Sequence, residues 1–439
     1  MHIEVVTIGD ELLLGYTIDT NAAHLARTLA AEGVEISRRT TVGDSADAIA
    51  SAVRDGLDRA GAVITTGGLG PTSDDLTKPS IAALFGRGMV LDEEHLAWME
   101  ERFTRLFRRP MPAANRQQAM LPEGARKLRN NHGSAPGIWL EDGDGRWVAM
   151  LPGVPREMRG MAADTLVPLI RERLGGDRRV VRSRTLRTTG VGESFLADRI
   201  ESIEGGVGEV DLSYLPNAEG TDLRLTVRGA RPDDADRRLA ASAERLRRVV
   251  GDAVYGEDGA DLAAVVLDLC RERRLTIGVA ESCTGGLLGT RLTAVAGSSD
   301  VVIGGVIAYS NALKTSLLGV AETLLAEHGA VSEPVVQSMA SGCRRATGAA
   351  IGIAITGIAG PGGGTAEKPV GTVWIASDLD DVVEARCLRL IGDRAEVRQR
   401  AAQAALQMVR RRLVFGTSLM DPVALGDGRR DEKGRGATR

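Results

Sequence analysis

The sequence predicts an α/β fold, in which two α/β domains with mainly parallel sheets are joined by a small α+β module. Short apolar strands alternate with amphipathic helical segments near both ends of the chain, as in parallel sheets covered by helices. Several of these strands end in glycine-rich turns. The segment between the two domains differs, because two of its strands alternate between polar and apolar residues.

The composition excludes several classes of protein. The chain has 439 residues, which predicts two to four domains. Its 55 Lys and Arg and 59 Asp and Glu residues give a net charge of -4, whereas a general nucleic-acid binder usually has a basic excess. No apolar run reaches the ~18 residues of a membrane span. The four cysteines form no CxxC pair, so a cytoplasmic location is expected.

The first α/β domain is predicted at residues 1–172. Its strands include HIEVVTIG, Ala62–Thr66 and WVAMLPG, and a helix is predicted at Asn21–Glu32. Each of these strands runs into glycine. Because the carboxyl ends of parallel strands form the binding edge of such sheets, the glycine-rich turns should meet at one edge.

Two further domains are predicted. Residues 181–252 read as strand, helix, two strands and helix, and residues 260–415 as a second α/β domain that ends in a helix at Ala395–Leu413. The polar, Gly- and Arg-rich segment 416–439 is expected to be a disordered tail.

The motif AESCTGG follows a predicted strand and opens a helix. Ser282 and Thr284 would lie beside the helix start, where free backbone N–H groups favour an anion. Gly285 and Gly286 would let a ligand approach the backbone. A simple helix cap is the alternative reading of this motif.

The motif AYSNALK offers a base for a serine nucleophile. Lys314 follows a buried-type strand, and loss of solvation can lower the pKa of a lysine enough for it to accept a proton. The alternative is a surface lysine on a helix. Cys283 is a competing nucleophile, but no histidine is near to activate it and burial would raise its pKa.

A third motif, TGIAGPGGGTAEKPVG, is too rich in glycine for a strand. It predicts a loop around a phosphate or ribose, with a mobile linker as the alternative.

These three motifs, with LTAVAGSSD and VSEPVV, resemble the C-terminal domain of the CinA family, which is similar to nicotinamide mononucleotide amidohydrolase of the PncC type. The resemblance implies hydrolysis of nicotinamide mononucleotide to nicotinate mononucleotide and ammonia. It makes Ser282 the nucleophile, Lys314 its base and Tyr309 a hydrogen-bonding partner or proton relay. No cofactor is implied for this domain. The substrate-binding residues expected here are Thr284, Gly285, Gly286, Asn311, Thr356, Gly357, Ala359 and Gly360.

The first domain has two motifs with acidic and glycine residues, GDELLLGYTIDTN and TTGGLGPTSDD. Glycines in such turns can hold phosphates, and paired carboxylates can bind a hard metal ion. Acidic pairs in surface turns are also commonly just solvated.

With NHGSAPG and LPGVPREM, this half resembles the molybdopterin-binding fold of the MoaB and MogA type, in the version found in CinA proteins. The resemblance implies an ADP-ribose pyrophosphatase that uses a divalent metal (Mg, Mn or Co). Glu11, Asp74 and Asp75 are the expected metal ligands. The expected substrate-binding residues are Gly67, Gly68, Gly70 and Asn21. Molybdopterin-binding relatives keep the same loop, so the loop does not separate the two ligands.

The middle module resembles the KH-like domain of CinA proteins. Its GVGE turn has Glu193 where a KH clamp has glycine, so a spacer or dimerisation role is expected instead of RNA binding. The leading interpretation is a bifunctional, homodimeric enzyme of pyridine-nucleotide recycling that acts on small nucleotides. The alternatives are a molybdopterin-binding protein, or a regulatory scaffold of competence and DNA damage without catalysis.

Overall fold

The computed structural model describes residues 1–175 and 179–416. The chain divides into two compact units, of which one is Met1–Arg182 with Val227–Arg237 and the other is Ser183–Thr226 with the chain from Arg238. The predicted disordered tail lies outside the described residues beyond Gly416. No helix in the described ranges is long and apolar enough to cross a membrane.

The first α/β domain contains eight strands and seven α-helices in its described residues. In chain order they are β1 (His2–Ile8), α1 (Asp10–Leu13), α2 (Thr20–Ala30), β2 (Glu35–Val42), α3 (Ala46–Ala60), β3 (Ala62–Thr66), α4 (Thr77–Leu84), β4 (Met89–Leu91), α5 (Glu93–Phe107), β5 (Met120–Pro122), β6 (Arg126–Leu128), β7 (Gly137–Glu141), β8 (Trp147–Leu151), α6 (Pro155–Met161) and α7 (Val167–Leu174).

The main sheet of this domain has six strands in the order β2-β1-β3-β8-β7-β6. The pairs β1–β2, β1–β3 and β3–β8 are parallel, whereas β7 and β6 are antiparallel. Because β1, β3 and β8 are adjacent and parallel, the turns that follow them meet at one edge of the sheet, as the sequence predicts.

The apolar pattern of β1 explains its central place. Ile3 and Val5 belong to one hydrophobic cluster, and Val6 and Ile8 to another. Successive side chains of a strand point to opposite faces, so a continuous apolar run is buried on both faces. Helices therefore cover both sides of the sheet.

The middle module consists of β9 (Val180–Thr188), α8 (Glu193–Glu201), β10 (Asp211–Pro216), β11 (Thr221–Ala230), α9 (Pro232–Val250) and β12 (Val254–Glu257). Its four-stranded sheet has the order β10-β11-β9-β12. The predicted order of strand, helix, two strands and helix is observed. The short strand β12, which follows α9, is an addition.

The C-terminal α/β domain contains α10 (Leu262–Arg273), β13 (Ile277–Glu281), α11 (Leu287–Thr293), β14 (Val302–Ile307), α12 (Asn311–Leu318), α13 (Glu322–His328), α14 (Glu333–Thr347), β15 (Ile351–Gly357), β16 (Thr372–Leu379), β17 (Val382–Arg389) and α15 (Arg394–Phe415). The strand order is β14-β13-β15-β16-β17. The first three strands are parallel, and β16 and β17 run antiparallel to their neighbours. The predicted fold class is confirmed.

Side-chain size differs between the two faces of this sheet. Ile277 and Val279 of β13 join a cluster with residues of α10 and α15. Ala280 faces the other way and joins a cluster with residues of α14. Small residues let α14 lie close to the sheet, whereas larger aliphatic side chains fill the opposite layer.

Helix α15 begins with a capping box, in which Asp393 accepts from the backbone N–H of Glu396 and the Glu396 side chain accepts from the backbone of Asp393. The helix is nearly as predicted and is largely buried. Its first turns lie near the turn that follows β13, because Arg398 donates two hydrogen bonds to the Thr284 carbonyl oxygen.

Candidate active site

Ser282 lies where β13 ends. Its backbone N–H still donates to the Ile355 carbonyl of the neighbouring strand β15, at 2.9 Å, so the position of the serine is set by the sheet. The residue is 9% exposed. A hydroxyl at the end of a parallel strand lies at the edge of the sheet where such folds bind their ligands.

Lys314 is brought to this serine by the next strand. Strands β13 and β14 are parallel, with Glu281 opposite Ile307, and α12 begins a few residues after β14. The Lys314 Nζ atom lies 3.1 Å from Ser282 Oγ, and it also donates to the carbonyl oxygen of Ala308 at 2.8 Å. The structure therefore joins the predicted nucleophile and the predicted base.

Burial is the dominant influence on Lys314. The residue is 1% exposed, and loss of solvation lowers the pKa of its amino group from 10.5. No carboxylate accepts from Nζ among the described residues; its partners are the serine hydroxyl and the carbonyl oxygens of Ala308 and Tyr309. A lysine with a lowered pKa and no acidic partner can release its proton and act as a base.

Glu281 holds the turn after Ser282 in place. Its carboxylate is 1% exposed and accepts from the backbone N–H groups of Gly286, Leu288 and Gly289 at 3.1, 3.0 and 2.8 Å. The expectation of free N–H groups at this helix start is therefore wrong, because the buried carboxylate occupies them. None of the sequence predictions includes Glu281, although a carboxylate inside an apolar strand is itself a signal of a fixed partner.

Glu281→Gln is expected to lower the free energy of unfolding by about 1–3 kcal/mol, because the amide group replaces one acceptor oxygen by a donor that faces backbone donors. Thermal or urea unfolding measures this change. Glu272→Gln, at an exposed position, is the control. Equal stability of both variants would show that Glu281 does not hold the turn.

The two residues after Ser282 differ in character. Thr284 is fully buried, and its Oγ1 atom has no hydrogen-bond partner among the described residues. An unpartnered buried hydroxyl is uncommon in native proteins and is compatible with a ligand contact. Burial raises the pKa of the Cys283 thiol to about 11, so this cysteine is a protonated, poor nucleophile.

Tyr309 is 59% exposed, and its hydroxyl lies 3.0 Å from Nη2 of Arg394, which donates to it. No hydrogen bond joins that hydroxyl to Ser282 or Lys314 in the described part of the chain. Arg394 also donates to the Gly360 carbonyl at 2.7 Å. Arg394 and Arg398 therefore link the three motifs, and sequence reasoning missed them because α15 is distant in the chain.

The glycine-rich loop is tied down at its start. Thr356 is 1% exposed and donates from Oγ1 to the Ala330 carbonyl at 2.9 Å. A Cβ atom on Gly357 would lie 2.7 Å from Val373 Cγ2, which explains the glycine there. Ala359 is 4% exposed, whereas Asn311, the first residue of α12, is exposed. The loop therefore begins next to Ile355, whose carbonyl accepts from the Ser282 N–H. That the loop binds substrate stays a prediction.

A second candidate site lies in the first domain. A cavity of about 400 Å³ is formed by the turns after β1, β3 and β8. Its lining includes the predicted residues Glu11, Gly67, Gly68, Gly70, Asp74 and Asp75. Gly67 requires glycine, because its φ is 115° and a Cβ atom would lie 2.2 Å from the Ile8 carbonyl oxygen.

Asp75 holds the glycine loop. One carboxylate oxygen accepts from Gly70 N–H at 2.7 Å, and the other accepts from the backbone N–H and the hydroxyl of Thr72 at 2.8 and 2.6 Å. No group of three or more His, Cys, Asp or Glu side chains in the described residues could hold a metal ion. Glu11, Asp74 and Asp75 line one cavity, and their binding of a divalent metal stays a prediction.

Asp75→Ala is expected to lower the stability of the chain by about 1–3 kcal/mol, since it removes three hydrogen bonds to one carboxylate. Asp74→Ala is the matched control, because Asp74 is exposed, and it should leave the unfolding midpoint unchanged. Circular dichroism during heating compares the two. If both variants unfold like the parent chain, the loop does not depend on Asp75.

Asn21 lies behind this cavity instead of lining it. Its Nδ2 atom donates to Thr66 Oγ1 at 3.0 Å and to the Gly153 carbonyl at 2.7 Å, so it joins two of the turns. Its Oδ1 atom is buried without a partner among the described residues. The contacts present make Asn21 a link between loops, and its predicted contact with substrate stays a prediction.

Lys78 was missed by the sequence analysis. The residue is 3% exposed, and burial lowers the pKa of its amino group to about 8. Nζ donates to the carbonyl oxygens of Gln117 and Gln118, and Gln118 lines the cavity. The buried cation lies next to a glycine loop suited to an anionic ligand.

Three family models match this chain in succession. Residues 4–172 match the probable molybdopterin binding domain, residues 183–256 the damage-inducible protein CinA KH domain, and residues 259–413 the CinA C-terminal domain. The matches define a protein with a molybdopterin-binding-type domain, a KH-type module and a CinA C-terminal domain.

The chain is 61% identical to a CinA-like protein of Gemmatimonas aurantiaca over 411 residues, which cover 94% of this chain and 96% of the relative. It is 45% identical to a CinA-like protein of Gloeobacter violaceus, with coverage of 94% and 96%. The chain therefore belongs to the CinA family. The competence/damage inducible protein CihA of Agrobacterium tumefaciens, a solved structure, is 41% identical over 34% of this chain and 91% of its own, with a TM-score of 0.33.

Proposed function

We propose that the C-terminal domain is a serine amidohydrolase that converts nicotinamide mononucleotide to nicotinate mononucleotide and ammonia. The observation that carries this proposal is the 3.1 Å approach of Lys314 Nζ to Ser282 Oγ in a buried setting. Serine–lysine pairs use the amine as the base that activates the hydroxyl.

In the first half of the reaction, the neutral Lys314 amine removes the Ser282 proton as Oγ attacks the carboxamide carbon. The carbonyl oxygen becomes an oxyanion. Because Glu281 occupies the N–H groups farther along the turn, the N–H groups of Cys283 and Thr284 and the unpartnered Thr284 hydroxyl are the proposed donors to it. The lysine returns the proton to the leaving nitrogen, which departs as ammonia.

In the second half, water attacks the nicotinoyl ester on Ser282. Lys314 removes a proton from this water and returns it to the serine oxygen, and the ester bond breaks. The products are the regenerated serine hydroxyl and the acid of nicotinate mononucleotide, which loses its remaining proton to solvent and leaves as the carboxylate. Each half-reaction therefore begins and ends with the same protonation state of Lys314.

The remaining groups would hold the nucleotide. Arg394 and Arg398 bring two guanidinium groups to the turn after β13 and to the glycine-rich loop, and a phosphate is a natural partner for arginine. Tyr309 is exposed beside Arg394 and would contact substrate from that side.

This arrangement predicts that free nicotinamide, which lacks the phosphate, is hydrolysed far less efficiently than the mononucleotide. An assay in which the two amides compete tests this prediction.

For the first domain we propose a nucleotide diphosphatase acting on ADP-ribose. The supporting observation is the 400 Å³ cavity enclosed by the glycine turns that follow three adjacent strands. The described carboxylates do not fit a preformed metal centre, so no step is assigned to a metal.

Incubation with ADP-ribose and separation of AMP and ribose phosphate tests this second function. Loss of turnover with a chelator, and its return with Mg, Mn or Co, is the expected result if a metal takes part. Tight molybdopterin binding without hydrolysis would favour the molybdopterin-binding alternative. No turnover of either substrate would favour the regulatory scaffold.

A homodimer is also proposed from the family resemblance. Light scattering of the purified chain measures its mass and so tests this.

A further inference from the structure

A cavity of about 640 Å³ lies within the second compact unit, between the middle module and the C-terminal domain. We call it the module cavity. One wall consists of residues 189–193 and 216–221, and the other of Ile375 in β16, residues 386–390 of β17 and its end, and residues of α15. Neither Ser282 nor Lys314 lines it, so it is distinct from the proposed amidase site. Its volume falls in the range of ligand pockets, roughly 300–1,000 Å³.

Gln403 places two N–H donors at this cavity. The residue is 2% exposed, and its Oε1 atom accepts from Arg291 Nη1 at 2.7 Å. Since the guanidinium can only donate, this contact fixes the orientation of the amide. Nε2 then lies buried without a hydrogen-bond partner among the described residues. A buried amide that lacks an acceptor is costly unless something supplies one.

Arg400 adds a positive charge beside this amide. It lines the module cavity three residues before Gln403, so the two side chains share one face of α15. Within the described part of the chain, its guanidinium has no hydrogen-bond or ion-pair partner, and its Nε atom is buried. A guanidinium and an amide that converge on one space, both without acceptors, are suited to a phosphate or carboxylate.

The rest of the cavity selects the kind of anion. Leu388, Leu390 and Met408 contribute apolar surface to the wall. Of the two acids in the lining, Glu219 is already paired with Arg187 and Arg291 at 2.9 and 3.3 Å. The other, Glu193, is exposed at the start of α8. The cavity therefore offers a cationic end and an apolar end.

We propose that the module cavity binds a nucleoside phosphate. The phosphate accepts from Arg400 and from Nε2 of Gln403, and the base lies against the apolar wall. The GVGE turn forms part of the lining, so the KH-type module takes part in the proposed binding site.

Cys387 provides a direct probe. It lines the module cavity and is exposed, whereas Cys270, Cys283 and Cys343 are buried. The full-length Ser282→Ala chain is treated with iodoacetamide with and without AMP, and alkylation of Cys387 is followed by peptide mass spectrometry. With AMP at about ten times its Kd, we expect alkylation to slow about tenfold, since only the unliganded fraction reacts. Adenosine and inorganic phosphate at the same concentration should protect much less.

Two variants locate the binding. Gln403→Glu keeps an acceptor for Arg291 but puts a carboxylate where the phosphate is held, and Arg400→Gln removes the cation. Each should raise the AMP concentration that gives half-maximal protection about tenfold or more. Gln399→Glu, the same substitution at an exposed position of α15, is the control and should leave protection intact.

The inference is overturned if AMP fails to slow alkylation, if inorganic phosphate protects as well as AMP, or if both cavity variants protect like the control. Because alkylation is measured on a chain without the serine nucleophile, failure of this inference is distinguishable from failure of the proposed amidase.

Discussion

Ser282→Ala is expected to abolish ammonia release from nicotinamide mononucleotide, with a loss of at least about 10³–10⁴-fold in kcat. The variant removes the only atom proposed to form the covalent intermediate. It leaves the backbone of the turn and the Glu281 contacts unchanged, so substrate should still bind. Steady-state ammonia assays with titration calorimetry separate the loss of turnover from a loss of binding.

Cys283→Ala is the matched control for this result. It removes the neighbouring thiol, which is the competing nucleophile. Burial raises the pKa of this thiol to about 11 and so keeps it protonated. We expect this variant to retain activity within about tenfold, a change no larger than a modest effect on packing (~1.4 kcal/mol). A dead Cys283→Ala enzyme together with an active Ser282→Ala enzyme would move the nucleophile to the cysteine.

Lys314→Ala is expected to lower kcat by about 10²–10⁴-fold, the usual contribution of a general base. Lys314→Arg should be equally inactive, because a guanidinium keeps the charge but does not release its proton. A loss below about tenfold in either variant would reject the base role.

The pH dependence follows from the burial of Lys314. Burial lowers the pKa of its amino group from 10.5, and only the neutral amine is a base. The rate should therefore rise with pH through this lowered pKa and level off below 10.5. Since the folded pKa is the lower one, the neutral amine is favoured in the fold, and stability should fall as pH drops from 10.5 through the folded pKa. A kcat/KM profile whose rise is centred at 10.5 or above would reject a buried Lys314 amine as the base.

The sequence predicted the meeting of Ser282 and Lys314 for a physical reason. Both residues follow strands of a parallel sheet, and the ends of neighbouring parallel strands are close in space. The structure places β13 and β14 side by side and the two reactive atoms 3.1 Å apart. The alternation of strands and helices therefore predicted that both residues lie at strand ends, and the resemblance to the CinA C-terminal domain implied their catalytic roles.

Other parts of the site were not predictable in this way. Arg394 meets the Tyr309 hydroxyl from 85 residues farther along the chain, because α15 lies across the sheet. No local pattern encodes which arginine of a long helix will face a particular turn. The role of Glu281 could not be predicted from the sequence either. Its partners are backbone N–H groups, which nearly every residue has.

In the first domain, the sequence motifs predict which residues share a cavity but not what each side chain contacts. Its acidic and glycine residues do share one cavity, as the strand-end argument requires. Whether a carboxylate faces a ligand or its own loop depends on side-chain direction, which the motif does not carry. Asp75 faces its own loop and accepts three hydrogen bonds from it.

The Ser282–Lys314 pair is proposed to hydrolyse a nucleotide carboxamide. The most direct test of this proposal is a product assay, in which the purified full-length chain is incubated with nicotinamide mononucleotide and both products are quantified. We expect ammonia and nicotinate mononucleotide in equal amounts from the parent chain, and neither from the Ser282→Ala chain. No ammonia from the parent chain, or undiminished release from the variant, would contradict it.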